Sequence, residues 1–182
     1  MPDLSDLQAL RQLDIQSNRL TSLGSGERDG ALAQHLLLML SHTNIIAPLL
    51  HSSLYTYTGL QNLTQLEELY LACNHLQSLE GLPRCLPADT SASPALNTLD
   101  VTTNKIDNVE AVIHLSSLEE FWMSSNLIAS PEALRPLQAL PVLSCLYLEH
   151  SPLQKSLSKE AYKTEVLTLL PGLTQLDAAM IR

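Results

Sequence analysis

A repeated pattern of leucine and asparagine constrains the fold of this chain more than any other feature. The pattern is L-x-x-L-x-x-Φ-x-Φ-x-x-N, in which Φ is an apolar residue, and one full copy runs from Leu115 to Asn126. That copy holds Trp122, the only tryptophan among 182 residues. Five copies agree, and self-similarity of this kind indicates a stacked repeat array. The copies span residues 4–23, 60–79, 96–109, 115–128 and 140–153, with Ser151 in place of the asparagine in the last.

Each copy predicts one strand followed by a return segment. Apolar residues alternate through the strand, so that Phe121 and Met123 face inward in the fourth copy. Asn126 then ends the strand, because its side chain can bond backbone groups in the following turn. Leucines spaced by three fit a short helical or 3₁₀ return. Since one unit cannot bury its own leucines, the sequence predicts an α/β solenoid with a parallel sheet on its concave side.

The distances between asparagines locate two irregularities. Asn104 and Asn126 are 22 residues apart, which we take as the period. The interval before Asn104 is longer, and its surplus falls in a proline-rich stretch at 83–94 that reads as a loop. A larger surplus lies at 24–58, which we interpret as an insertion, either a loop with one helix or disordered. Two alternatives are a degenerate repeat around residues 38–44 and a segment that is not native coding sequence.

The two ends of the repeat array differ. In the sequence, no capping segment precedes the first leucine layer, so that layer would be exposed. We therefore expect that a complete relative has further repeats before the first copy. After the fifth copy, residues 159–170 predict a helix that Pro171 ends, and 173–177 predict one last strand. This segment would cover the last leucine layer. The predicted organisation is a repeat at 1–23, an insertion at 24–58, repeats at 59–154 with the loop near 83–94, and a C-terminal cap at 155–182.

The composition indicates which kind of partner the protein binds and in which compartment it resides. The chain has 10 Lys and Arg against 19 Asp and Glu and a formal net charge of −9, which argues against nucleic-acid binding and suits a basic protein partner. We expect no signal peptide and no membrane span, because the start lacks a basic and apolar run and the longest apolar stretch is interrupted. The three cysteines have no C-x-x-C spacing and read as apolar fillers in a reducing compartment.

The outward positions of the predicted strands should align in rows across the concave face. Exposed aromatic residues beside carboxylates are typical of protein-binding surfaces. The sequence therefore predicts that this face binds a protein, with a solvated face as the alternative. The central row is Asp14, Tyr70, Asp100, Trp122 and Tyr147, and the row before it is Gln12, Glu68, Thr98, Glu120 and Cys145.

Catalytic and metal-binding motifs are not found in the sequence. His35, His42 and His51 share a segment, but their spacings do not make the i, i+4 pair of a helical metal site. His114 and His150 stand alone in repeat loops. There is no G-x-S-x-G motif and no phosphate-binding glycine loop. We therefore expect a protein that is not an enzyme and holds no cofactor and no metal.

Three segments carry a resemblance to a known family. The period and the terminal segment resemble short leucine-rich repeats closed by a leucine-rich-repeat cap. The blocks LEEFWMSSN (118–126) and LYLEHSPLQ (146–154) and the ending LDAAMIR (176–182) resemble the nuclear leucine-rich-repeat regulatory subunit of type-1 serine/threonine protein phosphatase. The similarity covers 4–23 and 59–182 and corresponds to the C-terminal half of that family. Two departures are Ser151 and the segment 24–58.

The resemblance implies a function and a set of contact residues. Asp100, Glu120, Trp122 and Tyr147 match family positions that hold the phosphatase catalytic subunit. The same rows add Tyr70, Glu68 and Asp14 as candidate partner-binding residues. The implied protein is a non-enzymatic regulatory or targeting subunit of the nucleus and cytoplasm, monomeric outside its complex. Alternatives are another intracellular scaffold of this repeat class, such as the spliceosomal A-prime type, and a truncated non-functional product.

Overall fold

The computed structural model describes residues 11–17, 66–80, 82 and 96–181. The predicted insertion at 24–58, the predicted loop at 83–94, Asn18 and the leucines before residue 11 lie outside these residues. The division of the chain into domains therefore stays a prediction. Among the described residues, no helix is both long and apolar enough to cross a lipid bilayer.

Within the described part of the chain, seven short strands form one sheet in the order of the sequence. The first six run parallel, and the last pairs antiparallel with the sixth to close the sheet with a hairpin. This arrangement confirms the predicted solenoid, in which each of the first five strands belongs to one repeat. The strands are β1 (Gln12–Asp14), β2 (Glu68–Tyr70), β3 (Thr98–Asp100), β4 (Glu120–Trp122), β5 (Cys145–Tyr147), β6 (Gln175–Leu176) and β7 (Ala179–Met180).

The middle residue of each three-residue strand points into the core. Phe121 on β4 is fully buried, while its neighbours Glu120 and Trp122 are only half-buried on the opposite face. Alternation along a strand produces this division, and the parallel register stacks equivalent residues directly on one another. The stacked layer continues through all six parallel strands, and its members are Leu13, Leu69, Leu99, Phe121, Leu146 and Leu176.

The return side of the solenoid uses short helical segments, as the leucine spacing predicts. Two are 3₁₀ helices, Glu110–Val112 and Pro131–Ala139, and two are α-helices, α1 (Pro152–Ser156) and α2 (Lys159–Leu169). A 3₁₀ helix has three residues per turn, so leucines spaced by three fall on one side of it. Leu134 and Leu137 are buried in this way.

Three buried asparagines of the described residues join the second, third and fourth repeats to the repeat before each; they are Asn74, Asn104 and Asn126. The Asn126 amide nitrogen donates to the carbonyl oxygens of Val101 (2.9 Å) and Met123 (3.0 Å), and its oxygen accepts from the Ile106 N–H (3.0 Å). Asn104 makes the corresponding bonds one repeat earlier, to the carbonyls of Leu71 and Val101 and from the N–H of Leu76. The prediction that the asparagine bonds backbone groups is confirmed.

The residue before each of these asparagines adopts a left-handed backbone conformation. The φ angle is 57° at Cys73, 57° at Thr103 and 56° at Ser125, and none of these residues is glycine. A non-glycine residue in this region is unusual and must be held by its surroundings. The backbone N–H supplies part of that hold, because Thr103 donates to the carbonyl of Ser124 on the next repeat at 2.8 Å.

Ser151 takes over a different task from the asparagine that it replaces. Its hydroxyl oxygen accepts from the Gln154 N–H at 3.1 Å, and it caps the N-terminus of α1. A serine hydroxyl offers one proton where the asparagine amide offers two, so it cannot repeat the bridging pattern. The bonding pattern of the asparagines therefore does not continue at Ser151, and the fifth repeat is followed by the C-terminal helices.

Asp177 and Tyr162 lock the C-terminal end of the array. Both side chains are buried. One Asp177 carboxylate oxygen accepts from the Leu148 N–H at 2.7 Å, and the other accepts from the Tyr162 hydroxyl at 2.9 Å. Burial, reinforced by the Asp177 carboxylate, raises the pKa of Tyr162 far above its usual value. Helix α2 is thus bonded through its tyrosine to the end of β6.

We expect Asn126→Ala to lower the free energy of unfolding by roughly 2–4 kcal/mol, because it leaves buried carbonyl and N–H groups of two repeats unpaired. Urea denaturation followed by circular dichroism measures the loss. The exposed Asn108 accepts one bond, from the Glu110 N–H, and Asn108→Ala serves as control with a loss of about 1 kcal/mol or less. Equal losses in the two variants would contradict the bridging role of Asn126.

We expect Tyr162→Phe to keep the ring packing and to cost about 1–2 kcal/mol through the lost bond to Asp177. The raised pKa adds a pH dependence. An unfolded tyrosine ionises near pH 10 while the folded one stays neutral, so this stabilisation is complete below about pH 10 and is lost above it. The stability difference between the wild type and Tyr162→Phe, measured by denaturation from pH 7 to 11, should therefore shrink above pH 10. A stability difference between the two proteins that stays constant up to pH 11 would contradict a raised pKa of Tyr162 in the folded state.

Candidate functional site

The concave face of the sheet brings the predicted site residues into two rows. The register pairs Asp100 with Trp122 and Trp122 with Tyr147, and it pairs Glu120 with Cys145. The alignment predicted from the repeat offsets is therefore confirmed for every strand from β1 to β5. The central row is Asp14, Tyr70, Asp100, Trp122 and Tyr147, and the row before it is Gln12, Glu68, Thr98, Glu120 and Cys145.

Three aromatic rings form a continuous strip along the central row. The ring centroids of Tyr70 and Trp122 are 6.2 Å apart and tilted by 56°, and those of Trp122 and Tyr147 are 6.0 Å apart and nearly perpendicular, at 72°. These separations lie within the range of favourable edge-to-face contacts. All three side chains are half-buried, so the strip presents ring surface to solvent.

Asp100 lies in the central row between Tyr70 and Trp122. Adjacent strands are about 4.8 Å apart, so rings on β2 and β4 can contact each other only by leaning over the strand between them. Asp100 is accordingly only 7% exposed. Its Oδ1 accepts from the Thr102 N–H at 2.8 Å, and Asp14, which is exposed, accepts from the Gln16 N–H in the same way. Asp100 is thus less accessible than its outward position in the sequence pattern suggests.

The face is acidic around the aromatic strip. Glu68 and Glu120 lie half-buried in the row beside it, and neither described row contains Lys or Arg. The Tyr70 hydroxyl donates to a Glu68 carboxylate oxygen at 2.9 Å. This bond, with burial and the charges of Glu68, Glu120 and Asp100, raises the pKa of Tyr70. The carboxylates therefore give this part of the face a negative potential.

Gln175 on β6 extends the site beyond the predicted residues. Its amide nitrogen donates to the Tyr147 hydroxyl oxygen at 2.7 Å and so fixes the last ring of the strip. The sequence reading assigned this residue to the cap and did not place it in a row. The signal was available, because Gln175 stands directly before Leu176 as Cys145 stands before Leu146, and the register pairs both positions.

The described residues contain no cluster of three or more His, Cys, Asp or Glu side chains that could hold a metal ion. His35, His42 and His51, considered in the sequence as a metal-binding set, lie outside those residues. The side chains on the described concave face supply rings, carboxylates, hydroxyls, amides and the Cys145 thiol. Such groups recognise a surface by packing and charge.

Solved structures with the same architecture identify the fold. The chain superposes on a chain of the Drosophila melanogaster SNF/U2A′ complex with a TM-score of 0.61 over 94% of this chain and 74% of that chain, at 20% identity. It also matches a leucine-rich-repeat protein of Leptospira interrogans with a TM-score of 0.51 over 94% of this chain and 38% of that one, at 20% identity.

This chain folds as a leucine-rich-repeat solenoid.

Curated relatives match parts of this solenoid. The human geranylgeranyl transferase type-2 subunit alpha is 33% identical over 91 residues, 50% of this chain and 16% of its own length. The leucine-rich repeat-containing protein 23 of Xenopus tropicalis is 31% identical over 83 residues, 45% of this chain and 23% of its own length. The protein phosphatase 1 regulatory subunit pprA of Dictyostelium discoideum is 30% identical over 78 residues, 43% of this chain and 22% of its own length.

The aligned segment thus spans less than a quarter of each of these relatives. No protein-family model matches the chain.

We expect Glu68→Gln to lower the pKa of Tyr70 toward the usual tyrosine value, because a neutral amide no longer holds the phenol proton through a charged bond. The measurement is an alkaline titration of the Tyr70 ring carbon by NMR. Glu119→Gln is the matched control. It removes the charge of an exposed acid directly before β4, and it should leave the pKa of Tyr70 unchanged. An unchanged titration in Glu68→Gln would contradict the hydrogen bond.

Proposed function

We propose that this leucine-rich-repeat solenoid is a non-catalytic protein-binding module that holds a basic partner on its concave face. The observation that carries the proposal is the strip formed by Tyr70, Trp122 and Tyr147, which exposes three touching rings among carboxylates with no Lys or Arg in either described row. Aromatic residues in the centre of a surface patch are the residues that most often dominate a protein interface.

The geometry favours tight binding through a small surface, because the side chains that would contact a partner are already held in place. Parallel strands and buried asparagines fix the backbone, and ring–ring contacts with the Gln175 bond restrict the aromatic side chains. Ordering these side chains on binding therefore costs less free energy than it would on a flexible loop. Carboxylates such as Glu68 and Glu120 would attract Lys and Arg of a partner and repel acidic proteins, which supplies specificity and speeds association.

Type-1 protein phosphatase catalytic subunit is the partner that we propose to bind this face. Two observations support this choice. The block LEEFWMSSN at 118–126, which places Glu120 and Trp122 on β4, resembles the nuclear regulatory subunit of that phosphatase. A relative with 30% identity over 78 residues is a phosphatase 1 regulatory subunit by name. The proposed contacts are Asp14, Glu68, Tyr70, Asp100, Glu120, Trp122 and Tyr147.

We also propose the location, role and oligomeric state of the protein. It would act in the nucleus and cytoplasm as a regulatory or targeting subunit, and it would be a monomer outside the complex. Asp100 would act on the partner mainly through its charge, because the rings beside it leave little of its carboxylate in contact with solvent.

A spliceosomal scaffold of the A-prime type is the second candidate. A chain of the SNF/U2A′ complex shares the fold over 94% of this chain. A pull-down that offers the phosphatase catalytic subunit and an SNF-type protein to the same purified chain separates the two proposals. Capture of neither would favour a truncated product without partner.

We expect Trp122→Ala to weaken binding of the phosphatase catalytic subunit by at least about 2 kcal/mol, or roughly 30-fold in Kd. The fold should survive, because Phe121 and Met123 carry the core of the same strand. Isothermal titration calorimetry measures the affinity, and circular dichroism checks the fold.

Ile113→Ala is the matched control for this experiment. Ile113 follows the 3₁₀ helix Glu110–Val112 on the return side and is 47% exposed, so its truncation removes a comparable apolar side chain away from the concave face. It should leave the Kd unchanged. A folded Trp122→Ala protein that binds the phosphatase as tightly as the wild type would refute the proposed contact.

A further inference from the structure

The indole nitrogen of Trp122 is the one buried side-chain nitrogen or oxygen of the described residues that has no hydrogen-bond partner. A buried N–H without an acceptor is unfavourable, so other contacts must hold the ring in place. The Tyr70 and Tyr147 rings contact two sides of the indole. Neither ring explains what lies beside the N–H.

Cys145 is a neighbour of Trp122 on the adjacent strand. Trp122 pairs with Tyr147 in the register, so Cys145, two residues earlier on β5, is its diagonal neighbour on the same face. Diagonal neighbours on a sheet lie within reach of an aromatic side chain. Burial raises the pKa of the Cys145 thiol, the Glu120 charge adds to this, and the Trp122 indole N–H acts in the opposite direction. The diagonal position and the influence of the N–H on the thiol place Cys145 next to the indole edge, where the two groups are not aligned as a hydrogen bond.

The burial of Cys145 distinguishes it from the rest of its row. It is 8% exposed, although its position points toward the concave surface. The residues before and after it in the row, Glu120 and Gln175, are longer, polar and half-buried. A short uncharged side chain leaves room for the indole in front of β5, whereas a long polar one would compete for that space.

We propose that Cys145 is the positioning residue of the binding face, which fixes the Trp122 ring between Tyr70 and Tyr147 by packing its thiol against the indole N–H. Its effect on partner affinity rests on the proposed function, while its effect on the ring does not. The role needs no reactivity, since a buried thiol with a raised pKa stays protonated and inert.

The test replaces Cys145 in three ways. Cys145→Ser keeps a polar group of similar size, Cys145→Ala removes the polar group and leaves space, and Cys145→Val removes the polar group but fills the space. Comparing the last two separates loss of the polar group from formation of a cavity. Cys73→Ser is the control, because Cys73 is exposed in the turn after β2.

The first readout needs no partner. Trp122 is the only tryptophan, so acrylamide quenching of tryptophan fluorescence and NMR contacts from the indole to the Tyr147 ring report on it alone. We expect Cys145→Ala and Cys145→Val to raise the quenching constant roughly twofold and weaken the ring contacts, because the unpaired N–H turns toward water. Cys145→Ser and Cys73→Ser should match the wild type.

The second readout is the Kd of the type-1 phosphatase catalytic subunit. The Ala and Val variants should weaken it on the order of tenfold while Cys145→Ser and Cys73→Ser leave it within about threefold. Unchanged quenching and ring contacts in both apolar variants, or a serine variant that behaves like valine, would overturn the positioning role. A displaced ring with unchanged Kd would overturn its link to affinity. A wild type that binds no phosphatase would refute the proposed function, and the fluorescence result would still decide the role of Cys145.

Discussion

The buried asparagine amide is the interaction on which the rest of this solenoid depends. A strand of three residues makes too few ladder bonds to fix its own place, and Asn104 and Asn126 supply the missing connections. Each donates to a carbonyl of its own repeat and to one of the preceding repeat, and each accepts from an N–H of that preceding repeat. Because these bonds are buried, water does not compete for them, and the spacing of successive strands is set.

Because the spacing of the strands is fixed, residues that recur at one position of the repeat form a continuous surface. Tyr70 and Trp122 are far apart along the chain, yet their ring centroids lie 6.2 Å from each other. In a parallel register, the same position of every strand falls in the same row, so each outward residue adds to one face. Rings then accumulate in one row, and acids such as Glu68 and Glu120 accumulate beside them. The face is rigid because its scaffold is, and rigidity favours binding through a few central contacts.

Much of the fold could be predicted because it depends on period and alternation. The offsets around Leu118 and Asn126 predicted the strand, the inward residues and the return segments, and the structure has them. The hairpin of β6 and β7 was not predicted, since two-residue strands carry no periodic signal. The role of Ser151 was also missed. Its change from ladder to helix cap becomes clear only with the position of α1, because a serine can serve either turn or helix.

Which residues share the concave face follows from the sequence alone, because strand period and repeat length are local properties that any parallel stack must obey. How those residues meet depends on the tertiary structure. The rings of Tyr70 and Trp122 lie within contact distance across the strand of Asp100, which is 7% exposed, and Cys145 is buried although it belongs to an outward row. These contacts depend on side-chain directions across two strands and on the room that each neighbour leaves, and no pattern along one strand encodes either. Row membership is thus a matter of spacing, while accessibility within the row is a matter of packing.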